Sequence, residues 1–144
     1  MTKTPQTARR RPTAQSAAIQ DIRFYRANEK PYGAFSNLFK RPIEFEGTMY
    51  PTSEHAYQAG KALKPAVRQW ILSAPSSALA AMAAHGLYVW DVVPDWAQIK
   101  FERMRAVPRA HFDPHTDLRD LLLSTGGLFA ACGKQTDDGT TNAT

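Results

Sequence analysis

Two stretches near the start of the chain alternate apolar and polar residues. One covers residues 22–26, and the other covers residues 42–50 with Glu46-Gly47 at its centre. Alternation with a period of two is typical of strands, and a glycine between two such runs favours a turn. The sequence therefore predicts a strand over residues 22–26 and a β-hairpin that turns at Gly47.

Helical spacing begins after Pro51. Thr52 is a suitable N-cap and Glu54 falls in the first turn, so we expect a helix from residue 52 to about residue 63. Its core face carries three apolar residues: Ala56, Ala59 and Leu63. The opposite stripe carries three polar residues within about 60° of one another: Glu54, Gln58 and Lys61. Such a stripe is either a solvated face or one wall of a binding site.

Four further helices are predicted from prolines and glycines, which mark helix ends, and from the spacing of apolar residues. The second begins at Pro65, and the third covers residues 76–85. The fourth begins after Pro94-Asp95, and Pro108 is expected to kink or end it, since an interior proline costs about 3 kcal/mol. The fifth follows Asp113-Pro114. The predicted buried stripe of the second helix is Val67, Trp70 and Ile71, and that of the fifth is Leu118, Leu121 and Leu122. The fourth carries Trp96, Ile99 and Met104.

These elements predict a mainly α-helical α+β domain with a small β-sheet and hairpin near its N-terminus. We place the domain at residues 21–129, because the segments on either side lack hydrophobic periodicity. Residues 1–20 are predicted to be a disordered basic tail, and residues 130–144 a disordered C-terminal tail. A chain of 144 residues is long enough for one domain with a hydrophobic core.

The net charge of +5 is concentrated at the N-terminus. Residues 1–20 contain four basic side chains and no acidic ones, which leaves 14 basic against 13 acidic side chains in the rest of the chain. A nearly neutral body lacks the basic surface that binding to duplex DNA requires. Sequence-specific DNA recognition is therefore disfavoured, and a nucleic-acid-associated role of the basic tail stays as a weaker alternative.

The cysteine, histidine and apolar content of the chain limits the expected compartment, membrane association and cofactors. Cys132 is the single cysteine, so no internal disulfide can form and a reducing cytoplasm is expected. No apolar run approaches the roughly 18–20 residues that cross a bilayer, so we expect no membrane partner. The four histidines lack the spacing of a zinc site. We therefore predict neither a metal nor a cofactor.

Polar and aromatic residues of mixed type cluster in two blocks, Tyr32-Gly33-Ala34-Phe35-Ser36-Asn37 and Pro51-Thr52-Ser53-Glu54-His55-Ala56-Tyr57-Gln58. Neither a core nor a plain solvated face requires such residues at a turn and at a helix start. Mixed polar groups on loops and helix starts are typical of small-molecule pockets. These two blocks are therefore the candidate functional site.

With their flanks, the blocks resemble the YbiA-like, or NADAR, family. The N-terminal motifs that carry the resemblance are Phe24-Tyr25-Arg26, Pro31-Tyr32-Gly33-Ala34-Phe35-Ser36-Asn37, Pro51-Thr52-Ser53-Glu54-His55, and Gln58-Ala59 with Lys61. The C-terminal ones are Pro94-Asp95-Trp96, Lys100, Met104, Phe112, Leu121-Leu122 and Thr125-Gly126. They follow the family's order over residues 22–127.

The resemblance implies a mainly helical fold and an N-glycosidase activity. The family's substrates are ribosylated compounds: riboflavin-pathway intermediates that carry a ribosylamino phosphate, or ADP-ribose attached to guanine. The implied partner is thus a small phosphorylated molecule or, alternatively, ADP-ribosylated nucleic acid. The family's catalytic glutamate corresponds to Glu54. The positions carried over as substrate-binding residues are Arg26, Tyr32, Asn37, His55, Gln58, Lys61 and Trp96.

Cleavage of an N-glycosidic bond develops positive charge at the anomeric carbon, which a nearby carboxylate can stabilise. A helix start favours the ionised form of Glu54, so we expect it to act as a base or an electrostatic stabiliser rather than as an acid. Expected partners are phosphate for Arg26 and Lys61, ribose hydroxyls for Asn37 and Gln58, and the base for Tyr32 or Trp96. The carboxylates that could protonate the leaving nitrogen are Glu29, Glu46 and Asp95.

The chain departs from the family pattern in its C-terminal part. Members continue with a Trp-Gly-x-Gly segment, a Gly-Asn-x-Leu-Gly stretch and a terminal helix, which the printed sequence does not contain after Gly127. We therefore expect exposed apolar surface on the helix that carries Trp96. Three hypotheses stay open: a truncated enzyme, a degenerate module that binds ADP-ribose or a nucleotide without turnover, and an enzyme completed by another subunit. The sequence predicts no particular oligomeric state.

Overall fold

The computed structural model describes residues 22–126 and the backbone of three later strands. The basic tail predicted for residues 1–20 lies outside the described residues. The sequence predicts no regular structure after residue 129, and the structure differs from this prediction where it places strands at Ala130–Cys132, Lys134–Gln135 and Thr141–Asn142. The first of these strands pairs with the N-terminal strand, a long-range contact that local spacing cannot reveal.

Short strands form three pairs in the described chain. β1 (Ile22–Phe24) runs parallel to β4 (Ala130–Cys132), and β2 (Ile43–Phe45) runs antiparallel to β3 (Thr48–Tyr50). The last pair is antiparallel and consists of β5 (Lys134–Gln135) and β6 (Thr141–Asn142). Between β2 and β3, Glu46 and Gly47 both have positive φ, 50° and 76°, as in the type I′ turns that favour two-residue hairpins. The predicted hairpin is confirmed.

Five α-helices follow the hairpin within residues 22–126. They are α1 (Ser53–Ala59), α2 (Pro65–Leu72), α3 (Ser77–His85), α4 (Trp96–Phe112) and α5 (Thr116–Leu123). Short 3₁₀ turns cover Gly33–Phe35 and Val89–Asp91. This mainly helical α+β architecture confirms the predicted fold class. In the part of the chain that is described, no helix has the length and apolar character needed to cross a membrane.

The first helix lies at the centre of the core, where it contacts α2, α3, α4 and the hairpin. Four alanines of α1 and α3 are fully buried in the shared core cluster: Ala56, Ala59, Ala80 and Ala84. The distance between two packed helices depends on the side chains at their contact, and alanines allow a close approach. The C-terminal end of α3 is thereby brought against α1.

The first helix is shorter than predicted, because it ends at Ala59 rather than near residue 63. Beyond it, Ala62 forms a β-bridge with Val92, and the Leu63 N–H donates to the Asp91 carbonyl at 2.8 Å. These backbone bonds to a distant segment take the place of another helical turn. Leu63 is consequently 46% exposed, and its predicted position in the core is wrong.

The predicted buried stripe of α2 is correct in part. Ile71 is fully buried and Val67 packs against the core, but Trp70 is 57% exposed. Neighbouring residues of a helix point about 100° apart. A helix on the surface therefore cannot point both Trp70 and Ile71 directly into the core, and in α2 the isoleucine is the one that does so.

The fourth helix continues through Pro108 to Phe112. Of the two expected outcomes, an end of the helix at this proline is therefore wrong, and a kink stays a prediction. An interior proline costs about 3 kcal/mol, and burial of the adjacent apolar side chain of Val107 acts in the opposite direction. The same helix exposes apolar surface, as the sequence analysis expected, at Ile99, Phe101 and Met104.

Candidate active site

The start of α1 is fixed by a buried histidine from its own first turn. The Thr52 hydroxyl accepts the His55 backbone N–H at 3.3 Å and lies 2.8 Å from His55 Nδ1. The His55 Nε2 atom lies 2.9 Å from the Ala74 carbonyl. Because a carbonyl oxygen can only accept, Nε2 carries the proton and Nδ1 accepts from the Thr52 hydroxyl. Both ring nitrogens of His55 are thus used inside the protein, which gives this predicted binding residue a structural role.

A second buried histidine, from α4, holds the next residue of the helix. Ser53 Oγ lies 3.1 Å from His111 Nδ1, and His111 Nε2 lies 2.9 Å from the Ala34 carbonyl, to which it donates. Burial lowers the pKa of His111 and so favours its neutral ring. The two histidines tie the first turn of α1 to the α2–α3 connection and to the Gly33–Phe35 turn.

Glu54 stands between these anchored residues, with its side chain partly buried. Its backbone N–H donates to the Asn37 carbonyl at 3.1 Å, and Gln58 Nε2 donates to its Oε1 at 2.7 Å. Burial raises the pKa of Glu54, against the opposing effects of the Gln58 hydrogen bond and of the charge on His85. The direction of this shift differs from the expectation that the helix start favours the ionised form, because loss of water around the carboxylate favours its neutral form.

Two aromatic side chains form a wall next to this carboxylate. The ring centroids of Tyr57 and Trp96 lie 5.4 Å apart, with their planes tilted by 51°. Burial raises the pKa of Tyr57, and the charge of Glu54 raises it further, so the phenol is within electrostatic reach of the carboxylate. Trp96 thus contacts Tyr57, which lies in the second of the two predicted blocks but was not among the predicted substrate-binding residues.

Basic groups lie at the far end of the polar stripe. Lys61 falls just beyond α1, but its N–H still bonds the Gln58 carbonyl at 3.0 Å, which keeps it on the same side. Its Nζ donates to the Ala84 carbonyl at 2.9 Å, at the end of α3. The next residue, His85, is exposed and close enough for its charge to lower the pKa of Glu54. Sequence spacing could not find His85, because helix packing alone brings it to α1.

The other predicted binding residues make their described contacts away from the carboxylate. The side-chain amide of Asn37 donates to Met104 Sδ at 3.5 Å, so only its backbone reaches Glu54. Tyr32 packs on Phe35 with 5.4 Å between ring centroids, and Arg26 is exposed. Within residues 22–126, Gln58 contacts the Glu54 carboxylate, and no described hydrogen bond joins Arg26 or Tyr32 to it; the binding roles of these residues stay predictions.

Two of the three carboxylates considered as proton donors are engaged elsewhere. The Glu29 carboxylate accepts the Tyr25 N–H at 3.0 Å, and the Glu46 carboxylate pairs with Arg103 Nη1 at 3.2 Å. Asp95 is exposed and immediately precedes Trp96. Over the described ranges, no group of three or more His, Cys, Asp or Glu side chains is placed to hold a metal ion.

This geometry defines a class of small α+β domains. In that class, a partly buried glutamate lies at the start of the central helix. Residues 23–138 match the model of the NADAR domain family. The chain belongs to this family, and the predicted resemblance is confirmed.

Curated relatives carry enzyme names. N-glycosidase YbiA of Escherichia coli (strain K12) is 38% identical over 104 residues, which are 72% of this chain and 64% of that protein. N-glycosidase Npun_R5314 of Nostoc punctiforme is 32% identical over 118 residues, 81% of this chain and 75% of the relative. Riboflavin biosynthesis protein VVA0006 of Vibrio vulnificus is 35% identical over 107 residues, 74% of this chain but 29% of the relative. The chain therefore spans less than two thirds of the length of the YbiA proteins that it matches.

A solved structure shares the fold. The NMR structure of the E. coli protein YbiA superposes with a TM-score of 0.70 and 34% sequence identity, covering 81% of this chain and 68% of that one. The family and the architecture thus agree, and the names of the relatives point to N-glycosidase chemistry.

Proposed function

We propose that this protein is an N-glycosidase that hydrolyses the bond between a ribosyl group and a nitrogen atom, with Glu54 as its catalytic carboxylate. The observation that carries the proposal is the environment of Glu54. Its helix start is anchored on both sides, one carboxylate oxygen is held by Gln58, and burial raises its pKa. The naming of relatives as N-glycosidases supports the same reaction class.

In the proposed reaction a water molecule adds to the anomeric carbon while the carbon–nitrogen bond breaks. The bonding electrons leave with the nitrogen, and positive charge develops on the ribosyl carbon and ring oxygen. Ionised Glu54 stabilises that charge and accepts a proton from the attacking water. A raised pKa makes the carboxylate a stronger proton acceptor, which suits it to this role.

The neighbours of Glu54 take complementary roles in the proposal. The Gln58 amide already donates to the carboxylate, so it orients Glu54 rather than gripping ribose as predicted. His85, whose charge acts on Glu54, supplies a proton to the leaving nitrogen. Lys61 holds phosphate, and the Tyr57–Trp96 wall contacts the base. The roles expected for Arg26, Tyr32 and Asn37 stay predictions.

Two substrate types fit this chemistry: a ribosylamino-pyrimidine phosphate and ADP-ribosylated guanine. The name of the Vibrio vulnificus relative, a riboflavin biosynthesis protein, supports the first. In both, a nitrogen on the anomeric carbon leaves and a phosphate lies on the same substrate. The same three groups, carboxylate, histidine and lysine, would serve either one.

The direct test is base release by purified protein from each substrate, compared with Glu54→Gln. We expect the substitution to lower the rate by about 10²- to 10⁴-fold, the range for loss of a general base. The matched control is Glu44→Gln, which removes an exposed carboxylate of β2 and should leave the rate unchanged. Calorimetry with ADP-ribose covers the alternative, since tight binding without any product release would favour a degenerate binding module.

A further inference from the structure

The two sequence blocks of the candidate site are joined to each other twice. The first link is direct, because the Glu54 N–H donates to the Asn37 carbonyl at 3.1 Å. The second link passes through a histidine: Ser53 bonds to the His111 ring, and that ring donates to the Ala34 carbonyl at 2.9 Å. Since Ala34 and Asn37 lie on one short segment, the two links form a closed loop of contacts around the first turn of α1. The direction in which the Glu54 side chain leaves the helix is therefore fixed from two sides.

Packing holds the His111 ring in one orientation. Two phenylalanine rings meet it edge to face, Phe39 at 6.2 Å and Phe112 at 4.9 Å between centroids, each with an angle of 87° between the planes. His111 is 2% exposed, and Ser53 is fully buried. A side chain that packing locks in place can fix the group to which it bonds. The His111 ring thus relates the position of α4 to that of α1.

The link to α1 depends on a neutral ring. His111 Nε2 donates to the Ala34 carbonyl, so Nδ1 accepts the proton of the Ser53 hydroxyl. A protonated ring carries a hydrogen on both nitrogens, so the hydroxyl could no longer donate to it and would have to turn its own proton elsewhere. Within residues 22–126, no other hydrogen bond of the Ser53 side chain is found. Protonation of His111 would therefore disturb the residue next to Glu54.

The surroundings of His111 keep its ring neutral near pH 7. Burial lowers the pKa of His111 most, and the charges of His115 and Arg41 lower it as well, whereas the Ala34 hydrogen bond and the charge of Asp117 raise it. Asp117 lies on α5 and is itself paired with Arg41 at 2.7 Å, which offsets its charge. The ring consequently becomes charged only below its ordinary titration range.

We propose that His111 is a positioning residue for the glycosidase reaction, and that it acts through Ser53 to hold the Glu54 carboxylate toward the anomeric carbon. This inference rests on the proposed function and adds to it a residue that touches neither the substrate nor the reacting atoms. Full activity then requires an ionised Glu54 and a neutral His111. A rate that depends on both groups falls more steeply with decreasing pH than a one-proton titration does.

The test compares single-turnover base release at saturating substrate for the unmodified protein, Ser53→Ala and His111→Gln. Ser53→Ala removes only a hydroxyl and should lower the rate about 10- to 100-fold, the effect of a small misplacement of a catalytic group. The substrate concentration that gives half of the maximal rate should change little. In both variants the rate should follow a one-proton curve on the acid side. The matched control Ser124→Ala removes a hydroxyl that bonds the Leu121 carbonyl at the end of α5, and it should keep the unmodified rate and the steeper curve.

Hydrogen exchange at the Glu54 backbone amide tests the same link without any turnover. Ser53→Ala should speed this exchange about 5- to 100-fold, the factor that corresponds to loss of one buried hydrogen bond, and Ser124→Ala should leave it unchanged. The double variant Ser53→Ala with His111→Gln should lose no more activity than the more impaired single variant, because both changes break one link.

These measurements separate the inference from the proposed function. If Glu54→Gln is slow while Ser53→Ala keeps the unmodified rate and the steeper curve, the proposed function stands and the inference fails. An equal loss of rate in Ser124→Ala, unchanged amide exchange in Ser53→Ala, or additive losses in the double variant also overturn the inference. If Glu54→Gln retains full hydrolysis, the proposed function fails and the catalytic role of His111 fails with it.

Discussion

At the scale of single residues, the ionisation of Glu54 decides what the site can do. Two effects oppose each other at this carboxylate: the hydrogen bond from Gln58 stabilises the anion, and partial burial removes the water that would otherwise solvate it. The second effect wins, and the pKa is raised. Ionisation of this carboxylate, which its role as a base requires, therefore costs the folded state stability.

This cost predicts that Glu54→Gln is more stable than the unmodified protein at pH 8. A pKa raised on folding means that the contribution of Glu54 to stability is fully present below its unfolded pKa and is lost as pH rises through the folded pKa. The difference in melting temperature should thus be small at pH 4.5 and grow toward pH 8. The amide keeps an oxygen acceptor for Gln58, so the local hydrogen bond survives.

Thermal unfolding of both proteins across that pH range measures the effect. The exposed-site variant Glu44→Gln should show no such trend. A lower melting temperature of Glu54→Gln at pH 8, with a gap that does not depend on pH, would show that burial does not control this carboxylate.

At the scale of elements, the short first helix depends on the residue that follows it. A Cβ added at Gly60 would overlap the Arg103 side chain, whose Nε and Nη2 donate to the Ala56 carbonyl inside α1. The Arg103 guanidinium also lies 4.8 Å from the Phe45 ring centroid, which ties α4 and α1 to the hairpin. Glycine at this position therefore makes room for the link that closes the C-terminal side of α1.

We expect Gly60→Ala to lower the free energy of unfolding by about 1–3 kcal/mol, the usual cost of forcing extra volume into a packed site. Gly86→Ala is the matched control, because a Cβ there meets only ordinary contacts and its φ of −82° suits any residue. Chemical denaturation gives both values. Equal stabilities of the two variants would mean that Arg103 moves aside without loss.

At the scale of the whole molecule, residues from distant parts of the chain meet at α1 through buried polar contacts. Ser53 and His111 are 58 positions apart, and the ring of His111 continues the link to Ala34. Folding lowers the pKa of His111, so its contribution to stability is complete above about pH 6.5 and is lost as pH falls through the folded pKa.

The protein should therefore lose stability as pH falls below about 6.5, and part of that loss should disappear in His111→Gln. The variant will be less stable at pH 7, because buried hydrogen bonds are broken. What tests the assignment is the slope of melting temperature against pH, with exposed His85→Gln as control. An unchanged slope in His111→Gln would place the acid sensitivity elsewhere.

Local patterns predicted much of the fold because they act over a few residues. The hairpin at Glu46-Gly47 and the Thr52 cap have local causes, and both were found. Glu54 and Gln58 were placed together by helical spacing alone. What local spacing could not give were contacts made by packing, such as the approach of His85 to Glu54 and the pairing that ends α1 early.

Prediction of the binding residues was limited for the same reason. A histidine beside a glutamate suits a pocket, yet the ring of His55 turns inward to Ala74, a partner 19 positions away. Arg26 and Tyr32 precede the Gly33–Phe35 turn, and the distance of their side chains from Glu54 depends on tertiary structure. Tyr57, in contrast, was within the selected block, and its role emerged only from its contact with Trp96.

The most direct test of the account is single-turnover release of the base from a ribosylated substrate as a function of pH. We predict that the rate falls as pH decreases through a pKa above the ordinary value for glutamate, that Glu54→Gln is slower by about 10²- to 10⁴-fold, and that Glu44→Gln matches the unmodified protein. Equal rates for Glu54→Gln and the unmodified protein at every pH would contradict the role assigned to this carboxylate.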